Sequence, residues 1–297
     1  MDTIEQRIDM VRNDREHGSR WLVRQTILIL RDLAQEKMAD QDEQMRQLRT
    51  SGRALAQARP AMAALSSAVG RILNIQGRPA TIAQAADQLL QDYDSATGRI
   101  AIYAKPYLSG RIMTCSLSGT ILDVLNACRQ QIEHLIVLEG RPRYEGREMA
   151  REFGSQGFNV TLLTDAQADI FIPQCHALVV GADSILANGD VLNKAGTALM
   201  AWSAHGHKIP FYVLCETLKI SPQHWPQDLQ QAETMLEEKE AQEVLEQPVP
   251  GVTARNFYFD HTPYTLISKV ITEHGILTLP EIQSIAAIAE ENARHLT

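Results

Sequence analysis

The sequence lacks an excess of positive charge, a paired-cysteine motif and any long apolar run, and each absence removes a class of function. Its 28 lysines and arginines are outnumbered by 36 aspartates and glutamates, giving a formal net charge of −8 at pH 7. No overall electrostatic footprint for wrapping nucleic acid exists, and any basic groove has to be local. The cysteines number four, Cys115, Cys128, Cys175 and Cys215, widely spaced, with no Cys-x-x-Cys pair and no metal-ligand pattern. They read as reduced, mostly buried thiols, and no metal is expected. The opening MDTIEQRIDM is acidic and has no apolar core of the export-signal kind. No apolar run approaches the roughly 18 residues needed to span a bilayer. The expectation is a cytoplasmic protein with neither nucleic acid nor membrane as partner. Internal repeats and low-complexity tracts are also missing.

What is present is the composition of an ordinary globular protein, 44% hydrophobic and 22% charged over 297 residues, enough for one large domain or two modest ones. The first hundred residues are helical in pattern. Trp21, Leu22, Ile27, Leu28, Ile29 and Leu30 form a broad apolar stripe. Pro60 and its small neighbours mark a break, and TIAQAADQLLQDYDSATGRI is a further helix with Thr81 as its expected cap. After Gly98 the texture changes. Apolar runs RIMTC, HLIVLEG, FNVTLLTD, ALVVGAD and IPFYVLCE alternate with amphipathic TILDVLNACRQQ, GREMAREFGSQ and KAGTALMAWSAHGH. Such alternation predicts an α/β fold with a doubly wound parallel sheet, Rossmann-like, covered on both faces. The predicted organisation is an N-terminal helical domain over 1–98 and a sheet domain over 99–297. The polar, acidic QDLQQAETMLEEKEAQEVLEQPVPG is expected to be an exposed helix or excursion before a final strand, NFYFDHT.

Ligands in such sheets bind at the carboxyl ends of the strands. There Arg141, Asp183, Asp190, Asn193 and Lys194 can converge. Lysine and arginine suit a phosphate, and a carboxylate can move protons. Each residue alone has a plainer reading: an aspartate after a strand is ordinarily a turn or cap residue, and a lysine at a helix start a solvated charge. His205 and His207, at a helix end, are expected to meet its carbonyls, and His261 to lie at the surface.

Longer strings go further. GADSILANGDVLNKAGT at 181–197, followed by IPFYVLCETLK, resembles the family that joins the alpha, beta and delta subunits of translation initiation factor 2B to two sugar-phosphate isomerases, methylthioribose-1-phosphate isomerase and ribose-1,5-bisphosphate isomerase. ARPAM at 58–62, LEGRPRYEGRE at 138–148 and ARNFYFDHTPYTLISKVITEHG at 254–275 agree with it, and EHGSRWLVRQTILIL at 16–30 agrees more weakly. The resemblance implies a helical domain packed on a Rossmann-like domain, usually dimeric or larger. It also implies aldose–ketose isomerisation without metal or nucleotide cofactor. By motif, Asp183 would be the acid/base, and Asn193 and Lys194 would hold the sugar phosphate. Arg59 would clamp it, and Gly18 and Ser19 would offer backbone donors. Arg141 matches the family's RP arginine. Glu145 falls where the methylthioribose enzymes carry a glutamine, which argues against that substrate.

The departure is TCSLSG at 114–119. Aligned without a gap, Ser116 stands where the isomerases carry an essential cysteine, and Cys115 comes one residue earlier. Either Cys115 takes over, or the chemistry is altered or lost. The resemblance therefore implies an isomerase closest to the ribose-1,5-bisphosphate type, with Asp183, Cys115 and Ser116 as candidate catalytic groups. The alternative is a non-catalytic regulatory subunit that binds a sugar phosphate or nucleotide and docks a translation-factor-like partner.

Overall fold

The computed structural model describes residues 3–294; Met1, Asp2 and His295 to Thr297, at the outer ends of the two expected domains, lie outside the described residues. Five helices come first: α1 (Ile4–Asn13), α2 (Ser19–Gln35), α3 (Gln41–Ala56), α4 (Ala63–Leu73) and α5 (Pro79–Ala104). In α2 the buried Leu22, Val23, Ile27, Leu30 and Leu33 recur at helical spacing and meet Leu48, Leu65, Val69, Ile72 and Ile82 of the other helices in one core. Leu218, Tyr258 and Phe259 from the later part of the chain complete that core, so the helical unit is seated on the sheet unit.

One expected boundary moves. The helix assigned to Thr81 starts earlier, at Pro79, with Arg78 as its cap residue, because proline fits the first helical position where no N–H is needed. Gly98 does not end it. A side chain there would meet nothing within 4 Å, so glycine sits on the exposed face of α5 at only its intrinsic cost, and the helix runs on to Ala104.

Beyond Ala104 come β1 (Gly110–Cys115), α6 (Gly119–Ala127), β2 (Ile132–Leu138), α7 (Glu145–Ser155), β3 (Val160–Leu163), α8 (Ala168–Phe171), β4 (Ala177–Val180), β5 (Ser184–Ile185), β6 (Val191–Lys194), α9 (Thr197–His207), β7 (Phe211–Leu214), α10 (Leu229–Met235), β8 (Phe259–Thr262), β9 (Lys269–Thr272), β10 (Gly275–Leu277) and α11 (Leu279–Ala293). Seven strands form one sheet in the order β10-β9-β7-β4-β1-β2-β3, parallel except for β10. The chain runs outward from β1 to β3 and then returns to β4 on the other side of β1. That reversal leaves a crevice between the carboxyl ends of β1 and β4, the place where doubly wound sheets bind ligands. Alternate residues cover the two faces. Ile112, Val137 and Val179 pack under α5, α6 and α7, while Met113, Cys115, Leu138 and Val180 pack under α9 and α11. Among the described residues no helix is long and apolar enough to cross a membrane.

NFYFDHT is not the last strand of this sheet. Its β8 pairs antiparallel with β6 in a separate sheet of order β5-β6-β8, and β9 and β10 close the large one. The diversion follows from Asp260, whose Oδ2 accepts the N–H groups of Gly196 and Ala198 and so draws β8 to the start of α9.

Candidate functional site

The crevice opens into a cavity of about 220 Å³ at the junction of the two units. Four stretches build its floor and walls. The first is the end of β1 and the start of α6, where Ser116 adopts a left-handed conformation at φ 59° and Ser118 caps the helix by accepting the Ile121 N–H. The second is the end of β4. There a side chain at Gly181 would come within 2.9 Å of Ser118 Oγ, so glycine leaves the cap hydroxyl of α6 in its place. The third is the start of α2, capped by Gly18 without a side-chain bond. Helices α2 and α6 therefore both open toward the cavity with unsatisfied N–H groups and the positive end of the helix dipole. The fourth is the turn before α4. Ser184 Oγ donates to Ala61 O at 2.7 Å and accepts the Ala63 N–H at 3.0 Å, pinning the Arg59 turn to the Asp183 segment.

Asp183, Cys115, Ser116, Gly18, Ser19, Arg59, Glu145, Asn193 and Lys194 all line this one cavity. Arg141 does not. It is exposed, donates to the Tyr144 hydroxyl and the Glu243 carbonyl, and stacks on the Tyr144 ring. Arg143, two residues on, takes a place in the wall instead. Asp165, just after β3, accepts the Gly140 N–H at 2.9 Å and the Arg141 N–H at 2.7 Å, which holds Arg141 toward the β3 edge of the sheet, away from the β1–β4 crevice. Asp190 also stays outside; it accepts the Tyr264 N–H and pairs with His261, on whose ring Trp225 stacks. His207 meets Asp169 rather than the helix carbonyls.

Cations dominate the wall of this acidic chain: Arg59, Arg143, Lys194, Lys219 and Lys239 among others. Lys194 Nζ donates to Glu145 Oε1 at 2.7 Å and lies over the Tyr258 ring. Arg59 pairs with the buried Glu237 at 3.2 Å, and Lys239 meets the same carboxylate at 3.0 Å. The acidic segment at 227–251 is thus no free excursion. After α10 its Glu237, Lys239, Glu240 and Glu243 fold back over the cavity and engage Arg59, Arg15, Asn256 and Tyr258. Lys219, Lys239, Arg143 and Ser184 were not singled out in the sequence. Lys219 ends the quoted IPFYVLCETLK and follows a strand end, a signal that was available; Lys239 lies in an acidic stretch, and nothing local marks it.

Asp183 makes no side-chain hydrogen bond among the described residues. Burial deep in the cavity pushes its carboxyl above the ordinary 3.8, while Lys219, Lys194 and Arg59 pull it down and Glu237 raises it. The Cys115 thiol is pushed up to about 12 by burial, with only Thr197 Oγ1 within reach at 3.9 Å. It is a neutral thiol at physiological pH, not a thiolate. Asn193 Nδ2 donates to the same Thr197 hydroxyl, which donates to Lys194 O, so one threonine orders both members of the Asn-Lys pair.

Burial also pushes Asp260 up to about 7, against the pull of its two N–H donors. A carboxyl with a folded value above its ordinary 3.8 binds its proton more tightly in the folded state, so its contribution to stability is full below pH 3.8 and is lost as pH rises through about 7. Both N–H groups bond to Oδ2, so Asp260→Asn can keep them. The fall in melting temperature between pH 5 and 8 is expected to be smaller in Asp260→Asn than in wild type; equal falls would show that Asp260 does not titrate in this window.

With this geometry in view, comparison with known proteins places the chain. The sequence model of the Initiation factor 2 subunit family matches residues 15–279. The chain belongs to that family. It is 31% identical over 285 residues to the ribose 1,5-bisphosphate isomerase of Archaeoglobus fulgidus, covering 88% of each chain. It is 34% identical over 265 residues to the methylthioribose-1-phosphate isomerase of Anaeromyxobacter sp., covering 82% of this chain and 76% of that one. Among solved structures, the translation initiation factor eIF-2B of Pyrococcus horikoshii superposes with a TM-score of 0.78 at 29% identity, over 92% of this chain and 96% of the other. The family thus includes relatives named as isomerases and relatives named as translation factors, and the cavity has to discriminate between them.

Proposed function

We propose that this protein is a sugar-phosphate aldose–ketose isomerase of the ribose-1,5-bisphosphate type. The observation that carries the reading is Asp183, an unengaged carboxylate deep at the strand crossover, ringed by lysines and arginines in a chain of net charge −8. An unengaged base beside a cationic wall suits a substrate that brings phosphate and loses a proton. Two helix starts, of α2 and α6, open on the cavity, which suits a sugar carrying two phosphates better than one. Glu145, held by Lys194 where the methylthioribose enzymes carry glutamine, disfavours their substrate.

The reaction requires three coupled changes. The C1–O4 bond breaks and the ring oxygen takes a proton. Hydrogen moves with its electron pair from C2 to C1. The C2 hydroxyl loses its proton as C2–O becomes the ketose carbonyl, so there is no net oxidation and no net proton change. Asp183 receives the C2 hydroxyl proton. Ser116 Oγ and the neutral Cys115 thiol, on the same wall, are the donors for the ring oxygen. Asn193 and Lys194, with Arg59 and the backbone of Gly18 and Ser19, hold the phosphates. The family resemblance alone supports reading the protein as a cytoplasmic homodimer or larger homo-oligomer.

The test is turnover by the wild type of ribose 1,5-bisphosphate and 5-methylthioribose 1-phosphate, followed by the carbon-13 signal of the new ketone. Conversion of the bisphosphate in preference to the other is expected. Ser116, in place of the isomerases' cysteine, favours a second reading, a non-catalytic subunit that binds the same ligand for a protein partner. Tight binding of both sugars with no ketone formed would establish that reading and sink the first.

A further inference from the structure

A separate cavity of about 530 Å³ lies between α4, α5 and the ends of β7 and β9, and it shares no lining residue with the cavity described above. Asp92, Ala96, Arg99 and Tyr103 recur along α5 at helical spacing and form one wall. Arg71, in the last turn of α4, stands in another. Glu216 and Leu218 come in just after β7, and Glu273 and His274 just after β9.

Three polar groups in these walls lack partners among the described residues. The Arg71 guanidinium is half-buried and makes neither a hydrogen bond nor an ion pair. Burial pulls it below its usual range; Glu273 and Asp92 pull it up, yet neither carboxylate is close enough to pair with it. The Tyr93 side chain is 3% exposed and its hydroxyl is unbonded. Burial holds that phenol well above its usual range, so it stays a protonated donor. Glu216 is 1% exposed. Its Oε1 accepts the Thr120 hydroxyl at 2.8 Å, whereas Oε2 has no hydrogen-bond partner, with Lys219 Nζ 3.7 Å away. Glu273, by contrast, is occupied by the Thr217 N–H and hydroxyl.

Idle donors and an idle acceptor around one cavity, which do not satisfy one another, call for a third body between them. Charge decides its kind. Arg71 and Arg99 stand against Asp92, Glu216 and Glu273, and Lys219 offsets Glu216 from behind, so the walls are close to neutral. A phosphate dianion would meet three carboxylates here, unlike in the cationic substrate cavity. A bare amine would leave Arg71 and Tyr93 unanswered. A carboxylate and an ammonium on one small molecule answer all three groups. We propose that this cavity binds an aliphatic α-amino acid, its carboxylate on Arg71 and the Tyr93 hydroxyl, its ammonium on Glu216, and its side chain along Leu89, Ala96 and Leu218. The site does not depend on the isomerase reading, because none of these residues lines the substrate cavity.

The probes are L-leucine, L-isoleucine and L-valine, with isopentylamine and 4-methylpentanoate as leucine without its carboxylate and without its ammonium. Calorimetric titration of the full chain is expected to show binding of at least one of the three amino acids, leucine included, and each truncated probe about tenfold weaker than leucine or worse. Tyr93→Phe is expected to weaken leucine about tenfold, and Arg71→Met about 30-fold. Neither variant breaks a bond within the protein, so without ligand both are expected to melt no lower than wild type. A Tyr93→Phe protein that melts well below wild type would mean that the hydroxyl is already satisfied inside the fold, and overturns the proposal. So does an absence of binding by all three amino acids, or leucine bound equally well by both variants. Inorganic phosphate bound in preference to leucine, and released by Arg71→Met, would make this an anion site and overturns the zwitterion.

Discussion

Asp183→Asn is expected to lower kcat for ribose 1,5-bisphosphate by about three orders of magnitude, the middle of the range that a positioned acid/base supplies, while binding is kept or strengthened. The reasoning separates two consequences of one change. Asparagine has the size of the carboxylate and cannot take the C2 hydroxyl proton, so the chemical step loses its base. It also removes a negative charge from a wall that holds Arg59, Lys194 and Lys219, so an anionic sugar meets a more positive cavity. No structural collapse is expected. Among the described residues the Asp183 side chain accepts no hydrogen bond, and burial already disfavours its charged form. Rapid-quench turnover and calorimetric titration with the product, on the same preparations, read the two effects independently. A variant that retains a tenth of the wild-type kcat removes Asp183 from the mechanism.

The second large effect is on stability and comes from a glycine. In α7 a side chain at Gly146 would stand 1.8 Å from the Leu138 carbonyl oxygen and 3.0 Å from Glu139 C, both backbone atoms at the end of β2. Neither can turn aside as a flexible side chain can, so Gly146→Ala has to push the start of α7 off the sheet. Its neighbour Glu145, which holds Lys194, moves with it. A loss of about 3 kcal/mol or more in urea unfolding is expected, beyond the ordinary range for adding one methyl group. Gly154, eight residues along the same helix, meets nothing within 4 Å. Gly154→Ala is expected to stabilise by about 0.5–1 kcal/mol through helix propensity alone. Opposite signs for the same chemical change in one helix are the discriminating result. A neutral Gly146→Ala would mean that α7 is not seated on β2 as described.

Some of this molecule could be read directly along the chain. The period of the apolar residues predicts the helices of the first hundred residues and the alternation of strands and helices after them, because burial of one helix face or of a whole strand imposes its own spacing. The run from Gly181 to Thr197 carries Asp183, Asn193 and Lys194 with their turn, all within seventeen residues, so the polar half of the site is local text. Boundaries were less legible. Thr81 looks like a cap although Pro79 starts the helix two residues sooner.

What only the tertiary structure decided is which charges meet. Arg141 is the phosphate ligand expected from the sequence, yet the turn between β2 and α7 leaves it at the surface and places Arg143 in the cavity wall. Lys239 belongs to an acidic stretch that looks solvated, yet it closes the cavity because Glu237 is drawn to Arg59 across 178 positions. Strand β8 reads as part of the parallel sheet, yet Asp260 draws it to the start of α9. The reason is the same in each case. Local pattern reports what a segment buries, since burial is set by spacing along the chain. The partner of a charge is set by the crossover of strands far apart in sequence, where β1 and β4 bring together residues that no periodicity connects.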